Sequence, residues 1–139
     1  MFFYLLLLIS GLTIGSFLGM LTFRLPRRLP LSGRSSCDHC GKKILWHQNI
    51  PVVSFLALKG RCASCNRKIS FRYPLIEGLT ALFFLAAGYF WSTVGLDFPL
   101  IFLLLLGTLL LGLFITDIEF LILPDQILLP LAVLSILAL

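Results

Sequence analysis

The chain has 139 residues, of which 59% are hydrophobic and 12% are charged. A soluble domain is about 45–50% apolar and about 25% charged, so this composition excludes an ordinary soluble fold and requires lipid to cover part of the surface. All eleven Lys and Arg residues lie between Arg24 and Arg72, with a single acid among them, Asp38. This basic block stands between apolar runs and lacks nucleic-acid-binding motifs, so the positive-inside rule explains it better than nucleic-acid binding does.

Residues 1–23 form an uncharged apolar run, and about 20 such residues span a bilayer. No basic segment precedes the run and no cleavage site follows it, so we predict an uncleaved anchor rather than a signal peptide. Because positive charge begins at Arg24, the N-terminus is predicted to lie outside and the following segment in the cytoplasm. The spacing of Gly11, Gly15 and Gly19 predicts a face of small residues, either for helix packing or as a groove for a substrate helix.

Residues 24–73 form a polar, basic segment rich in Pro and Gly, which argues against a long helix. The segment is long enough for a small domain and holds two C-x2-C pairs separated by 21 residues, namely Cys37 with Cys40 and Cys62 with Cys65.

The four cysteines are spaced nearly as in zinc sites. Four thiolates suit a closed tetrahedral Zn²⁺ site, which would be structural because it leaves no open position for catalysis. The alternatives are two disulfides or free thiols, and the cytoplasm disfavours disulfides. His39 or His47 could also replace one of the cysteine ligands.

Residues 74–139 are predicted to form the membrane region. Apolar runs at 74–96 and 100–116, joined by a short turn that contains Asp97, predict a helical hairpin that leaves the cytoplasm and returns to it. The last run, 126–139, is too short to cross a bilayer of about 30 Å at about 1.5 Å per residue, so we expect a truncated span. The predicted fold class is an all-α, multi-pass integral membrane bundle with a small cytoplasmic zinc-ribbon insertion.

The acidic residues near the membrane are the candidate catalytic groups. Asp117 follows a long uncharged run, and an acid at a membrane boundary is either functional or an interfacial residue that ends a helix. Asp125 fits an N-cap of the next helix, and Glu119 is expected to be solvated in a short link. Glu77 would complement a helix dipole or pair with Arg72.

Three blocks of sequence resemble one known family. They are GSFL at 15–18 leading to FRLP at 23–26, the stretch 37–81 with the pieces WHQNIP, GRCASC and ISFRYPLIEGLTA, and the stretch ITDIEFLILPDQILLP at 115–130. These blocks are similar to those of the type IV prepilin leader peptidases, which also serve type II secretion.

The resemblance implies a bacterial inner-membrane aspartic peptidase that cuts the basic leader from prepilins and pseudopilins on the cytoplasmic side. Many members also methylate the new N-terminal amine with S-adenosylmethionine, an activity associated with the N-terminal cytoplasmic region. By motif position, Asp117 matches the first catalytic aspartate and Asp125 a non-catalytic residue of the same block.

The sequence also departs from the family pattern. The GxGD motif that holds the family's second aspartate is absent, Gly19 stands where Asn is common, and Asp38 stands where Pro is common. We therefore expect an N-terminal portion that is inactive as a peptidase by itself.

Two other functions stay open: a stand-alone amine methyltransferase, and a non-catalytic membrane module with a zinc ribbon. A symmetric dimer that contributes one Asp117 from each subunit is a further alternative. In each case the basic segment is expected to face anionic lipid headgroups.

Overall fold

The computed structural model describes residues 1–37, 39–91 and 98–137. The regular elements of the described residues are all helical. These residues contain no strand, only two isolated bridges within residues 24–73, which we name the cysteine segment. The elements in chain order are α1 (Phe2–Arg24), a 3-10 turn (Trp46–Asn49), α2 (Val53–Ala57), α3 (Arg72–Trp91), α4 (Phe98–Phe120) and α5 (Asp125–Leu137).

Three of these helices are long and apolar enough to cross a membrane: Phe2–Arg24, Arg72–Phe90 and Phe98–Phe120. The predicted all-α membrane fold is therefore confirmed. The fourth apolar run forms α5, a helix of 13 residues with Pro130 inside it. Asp97, predicted to lie in the turn of the hairpin, falls outside the described residues.

The end of the third apolar run was predicted wrongly. We expected it to stop at residue 116 and to be followed by a link, but α4 continues to Phe120. No Pro or Gly interrupts the chain between Asp117 and Pro124, so nothing stops the helix earlier. It ends where Leu121 takes a positive φ of 52° and donates its N–H to the Asp117 carbonyl at 2.8 Å.

The glycines of α1 bring its backbone against α3. A Cβ on Gly11 would lie 2.7 Å from the Ala81 Cα, and one on Gly15 would lie 2.7 Å from the Glu77 Cα. Contacts that short are forbidden to a real Cβ, so the two helices can approach this closely only with glycine there. The small-residue face at Gly11 and Gly15 is thus filled by α3, which confirms the packing interpretation for these residues and leaves no open groove there.

The apolar core lies where α1, α3 and α4 meet. Leu7 of α1 packs with Phe84 and Ala87 of α3 and with Leu100 and Leu104 of α4. Gly112 continues this contact along α4, since a Cβ there would lie 2.9 Å from a methyl group of Leu18. Many large apolar side chains on the outer faces of these helices stay exposed, as expected of surfaces that lipid covers.

Candidate metal centre and carboxylate site

The two cysteine pairs form two copies of one backbone turn. Gly41 donates its N–H to the Cys37 carbonyl at 2.9 Å, and Asn66 donates to the Cys62 carbonyl at 2.9 Å. The residue after the second cysteine has a positive φ in both turns, 67° at Gly41 and 60° at Asn66, which Gly and Asn adopt most readily. The two outer hydrogen bonds of the turns also correspond: Cys37 to Lys42 and Ile44 to Ser35, then Cys62 to Arg67 and Ile69 to Gly60.

These turns bring the four predicted ligands together. The sulfur atoms of Cys37, Cys40, Cys62 and Cys65 all lie within 4.8 Å of one another, with 3.8 Å between those of Cys37 and Cys65. A tetrahedral site with metal–sulfur bonds of about 2.3 Å has sulfur–sulfur edges of about 3.8 Å. The four cysteines are free thiols rather than disulfides, so they are positioned to bind a metal ion.

The backbone around Cys62 favours its ionised form. The N–H groups of Cys65 and Ser64 lower the pKa of the Cys62 thiol to about 6, and the Ser64 nitrogen lies 3.5 Å from the sulfur. A thiolate is the form that binds metal. Neither His39 nor His47 belongs to the cluster of ligands found among the described residues.

A second polar centre lies at Arg72, the first residue of α3. Its Nε donates to the Glu119 carboxylate at 2.6 Å. Its other two nitrogens donate to α1, to the Gly19 carbonyl at 2.9 Å and to the Thr22 hydroxyl at 2.7 Å. This group, which we name the Arg72 clamp (Arg72, Glu119, Gly19 and Thr22), joins the ends of three membrane helices.

The Arg72 clamp corrects two predictions. Glu119 was expected in a short link, but it lies in α4. It is exposed, as expected of a solvated acid, and it is also ion-paired with Arg72. Arg72 was considered as a partner of Glu77, but it pairs with Glu119. The sequence did contain a signal for the Arg72–Glu119 pair. Arg72 precedes one apolar run and Glu119 follows the next, and the predicted hairpin brings these two ends to the same side of the membrane.

Glu77 has a different role from either one predicted. It is only 7% exposed and accepts the Val52 backbone N–H at 2.7 Å. The side chain of Ser16 also hydrogen-bonds to its carboxylate. Glu77 therefore ties the segment before α2 to both α1 and α3, a role that the sequence did not reveal because Val52 contributes only its backbone.

Asp117 lies in the last turn of α4, two residues before Glu119. Residues two apart on a helix point to nearly opposite sides, so Asp117 faces away from the Arg72 clamp. It is exposed and forms no ion pair within the described part of the chain. No described residue thus covers this carboxylate.

The same end of α4 contacts the exit of α1. The Arg27 guanidinium lies 3.9 Å from the ring centre of Phe23 and 4.7 Å from that of Phe120, within the range of a cation–π interaction. Asp117 is therefore at the end of the bundle that carries the basic cysteine segment.

Asp125 is the first residue of α5 rather than the residue before the helix, so the predicted N-cap is wrong by one position. The Pro124 carbonyl accepts the N–H groups of Ile127 and Leu128, so the N-cap of α5 is Pro124. A carboxylate in the first turn still complements the helix dipole.

A cleft of about 1260 Å³ separates the cysteine segment from the membrane helices. Glu77 and Glu119 line it on the side of the helices, and Cys37, Arg67 and Lys68 line it on the side of the segment. Asp117 does not line this cleft.

Comparisons with known proteins place the chain in a family. A sequence model described as "Bacterial Peptidase A24 N-terminal domain" matches residues 9–91. Proteins named prepilin leader peptidase/N-methyltransferase are similar to the chain: one of Myxococcus xanthus is 39% identical over 89% of this chain and 36% of its own length. One of Vibrio cholerae is 35% identical over 91% of this chain and 53% of its own length, and one of Bacillus subtilis is 39% identical over 88% and 49%.

The chain thus spans about half the length, or less, of these relatives. No solved structure matches it. The family model covers more than half of the chain, including both cysteine pairs, Arg72 and Glu77. The chain belongs to the bacterial peptidase A24 N-terminal domain family.

Proposed function

We propose that this chain is the N-terminal part of a bacterial inner-membrane aspartic endopeptidase that removes the leader from prepilins and pseudopilins. The names of its relatives support this activity. The observation that carries the proposal is the position of Asp117, at the end of the bundle that holds the basic segment. Its carboxylate is exposed and has no ion-pair partner among the residues that the structure describes. By the positive-inside rule that end is cytoplasmic, where a basic leader would be presented.

Hydrolysis by carboxylates requires two of them with different protonation. One is ionised and activates water, while the other is protonated and polarises the scissile carbonyl. We assign Asp117 to this pair. The 139 residues contain no GxGD motif, so the second carboxylate has to come from elsewhere, and we propose that the chain by itself does not cleave.

The proposed organisation follows the charge pattern. Residues 1–23 are the first membrane helix with the N-terminus outside, residues 24–73 are a cytoplasmic domain, and residues 74–139 belong to the membrane peptidase region. We propose that the four cysteines hold Zn²⁺, because a closed set of four thiolates is the ligand set of structural zinc. The ion would stabilise the fold of the segment and take no part in hydrolysis.

N-methylation of the new N-terminus, with S-adenosylmethionine as the methyl donor, is the second activity proposed. The names of the relatives include an N-methyltransferase activity, which supports methyl transfer to an amine. Cleavage produces the free amine that methylation consumes, so one membrane protein could catalyse both steps in sequence. A chain with methyl transfer alone, or a non-catalytic zinc-ribbon module, is the rival proposal.

A cleavage assay in detergent tests the peptidase proposal. A synthetic prepilin is incubated with this chain and with a form extended by the coding sequence downstream, each as wild type and as Asp117→Asn. We expect only the extended wild type to cleave. Asp125→Asn in the extended form is the matched control, because it removes a nearby carboxylate from the same sequence block and should leave cleavage largely intact.

Other outcomes would overturn particular parts of the proposal. Cleavage by the extended Asp117→Asn protein would remove Asp117 from the reaction. Cleavage by the 139-residue chain would make a pair of Asp117 residues from two subunits the better account. Methyl transfer to a pre-cleaved pilin without any cleavage by the extended form would favour the methyltransferase alone.

A further inference from the structure

Part of the cysteine segment carries apolar side chains that no described residue covers. Trp46 is 74% exposed and Leu56 is 68% exposed, and three neighbours in this stretch are also exposed. We name these residues the interfacial patch: Leu45, Trp46, Ile50, Val53 and Leu56. They lie on or beside the 3-10 turn and α2, and so dense an apolar surface outside the membrane helices requires a covering partner.

The position of the patch is fixed by α3. The Val52 N–H, directly before α2, donates to the Glu77 carboxylate at 2.7 Å. Glu77 lies five residues into α3, which is about 7–8 Å along the helix axis from Arg72. The start of α2 therefore lies beside the first two turns of a membrane-spanning helix, at the depth where such a helix enters the bilayer.

A ring contact makes the patch continuous with the lipid-facing side of α3. Phe55 of α2 packs edge-to-face on Phe71, with ring centres 6.0 Å apart. Phe71 begins a stripe of exposed residues at helical spacing, which continues through Leu75, Leu79 and Leu82. A bilayer that covers this stripe on α3 therefore also reaches α2, which lies beside the Phe71 end of the stripe.

The charge around the patch identifies the partner. Lys42, Lys43 and Lys59 flank it and are exposed, and residues 39–76 contain no acid. Exposed lysines around an apolar surface fit an anionic membrane, and tryptophan is enriched at the boundary between lipid and water. A protein partner would have to be strongly acidic and would have to reach a surface already beside the bilayer.

We propose that the interfacial patch docks onto the anionic lipid surface of the membrane that the chain's own helices span. The 3-10 turn and α2 then form an in-plane anchor that holds the cysteine segment against the bilayer. Through Val52 and Glu77, lipid contact at α2 also braces α3 and α1. This inference requires only that α3 spans the membrane, so it stands whether or not the protein is a peptidase.

Tryptophan fluorescence tests this docking, because Trp46 is one of only two tryptophans in the chain. The Trp91→Phe variant leaves Trp46 as the sole probe. It is placed in vesicles of phosphatidylcholine and phosphatidylglycerol whose acyl chains carry bromine at shallow or deep positions. The matched control is Ser64→Trp with Trp46→Phe and Trp91→Phe, which puts the probe at an exposed position between the second pair of cysteines.

We expect the Trp46 emission to lie at shorter wavelength than that of the control and to be quenched more by shallow than by deep bromines. Replacing both Val53 and Leu56 with Ser should reduce this quenching. Emission and quenching of Trp46 equal to those of the control would overturn the proposal. A short-wavelength emission without quenching by any brominated lipid would also overturn it, since protein rather than lipid would then cover the patch.

Discussion

Different interactions stabilise the membrane helices and the cysteine segment. In the helical part, α1 and α3 meet backbone to backbone at Gly11 and Gly15, and the Arg72 clamp joins them at the end next to the cysteine segment. The segment of residues 24–73 has no fully buried side chain among its described residues. Besides the 3-10 turn and α2, it contains two turns whose hydrogen bonds bring four thiols together. We therefore expect the helices to form without a ligand and the fold of the segment to depend on a bound metal ion.

The largest effect that this comparison predicts is that of metal removal. Structural zinc contributes about 10–16 kcal/mol to folding in small zinc domains, and the segment has little apolar core to replace that contribution. We expect Cys62→Ser, or a strong chelator, to unfold residues 25–71 and leave α1, α3 and α4 helical. Bound zinc measured by mass spectrometry, together with limited proteolysis, checks this.

His39→Ala is the matched control for metal removal, because His39 lies between two ligands without belonging to the cluster. It should retain the metal. Loss of zinc from His39→Ala would mean that a histidine is a ligand after all.

The next largest effect is expected where the helices touch. Gly15→Ala places a Cβ 2.7 Å from the Glu77 Cα, so α1 and α3 must separate, at a cost of about 1–3 kcal/mol. Its melting temperature in detergent should fall. Gly78→Ala, a glycine of α3 whose added Cβ would meet nothing within 4 Å, should leave that temperature unchanged or raise it. Equal behaviour of the two variants would contradict the close contact of these helices.

An effect of similar size is expected at the Arg72 clamp. Arg72→Ala removes the hydrogen bonds to α1 and α4. Arg72→Lys keeps the positive charge but loses the planar guanidinium group, whose three nitrogens each reach a different partner. A double-mutant cycle of Arg72→Ala with Glu119→Gln should give a coupling free energy of about 1–3 kcal/mol. A coupling near zero would show that the two residues are neighbours without a stabilising interaction.

The smallest effect is expected at Thr22, which is fully buried. Its hydroxyl accepts from Arg72 at 2.7 Å and donates to the Leu18 carbonyl at 2.8 Å. Thr22→Val preserves the shape and removes the hydroxyl, so we expect a loss of stability of about 1 kcal/mol. The Thr13→Val substitution should cost less stability, because Thr13 is exposed and its hydroxyl donates to the Ile9 carbonyl of its own helix. Thermal unfolding of both variants in detergent measures the difference.

Much of this arrangement was predictable from the sequence, because it depends on local pattern. Apolar run length predicted the three membrane helices, and the C-x2-C spacing predicted the cysteine cluster. The spacing of the glycines in α1 predicted a close helix contact.

The remainder depends on contacts between distant residues. The Arg72–Glu119 pair joins positions 47 residues apart, and Glu77 binds a backbone N–H that any residue at position 52 other than proline would supply. The end of α4 was predicted too early because Asp117, the first polar residue after the apolar run, was taken as the end of the helix. A helix can continue beyond its apolar run when no residue breaks it, and α4 does so as far as Phe120.

The central claim is that Asp117 and the cysteine segment share one face of the membrane, the cytoplasmic one. Asp117→Cys is labelled in sealed membrane vesicles of both orientations with a maleimide that cannot cross the bilayer, and peptide mapping locates the label. Phe2→Cys, at the opposite end of α1, is the control. We predict labelling of position 117 only where the cytoplasmic face is accessible and of position 2 only in the other orientation. Labelling of position 117 from outside would contradict the proposed topology, and with it the role of Asp117 in cytoplasmic cleavage.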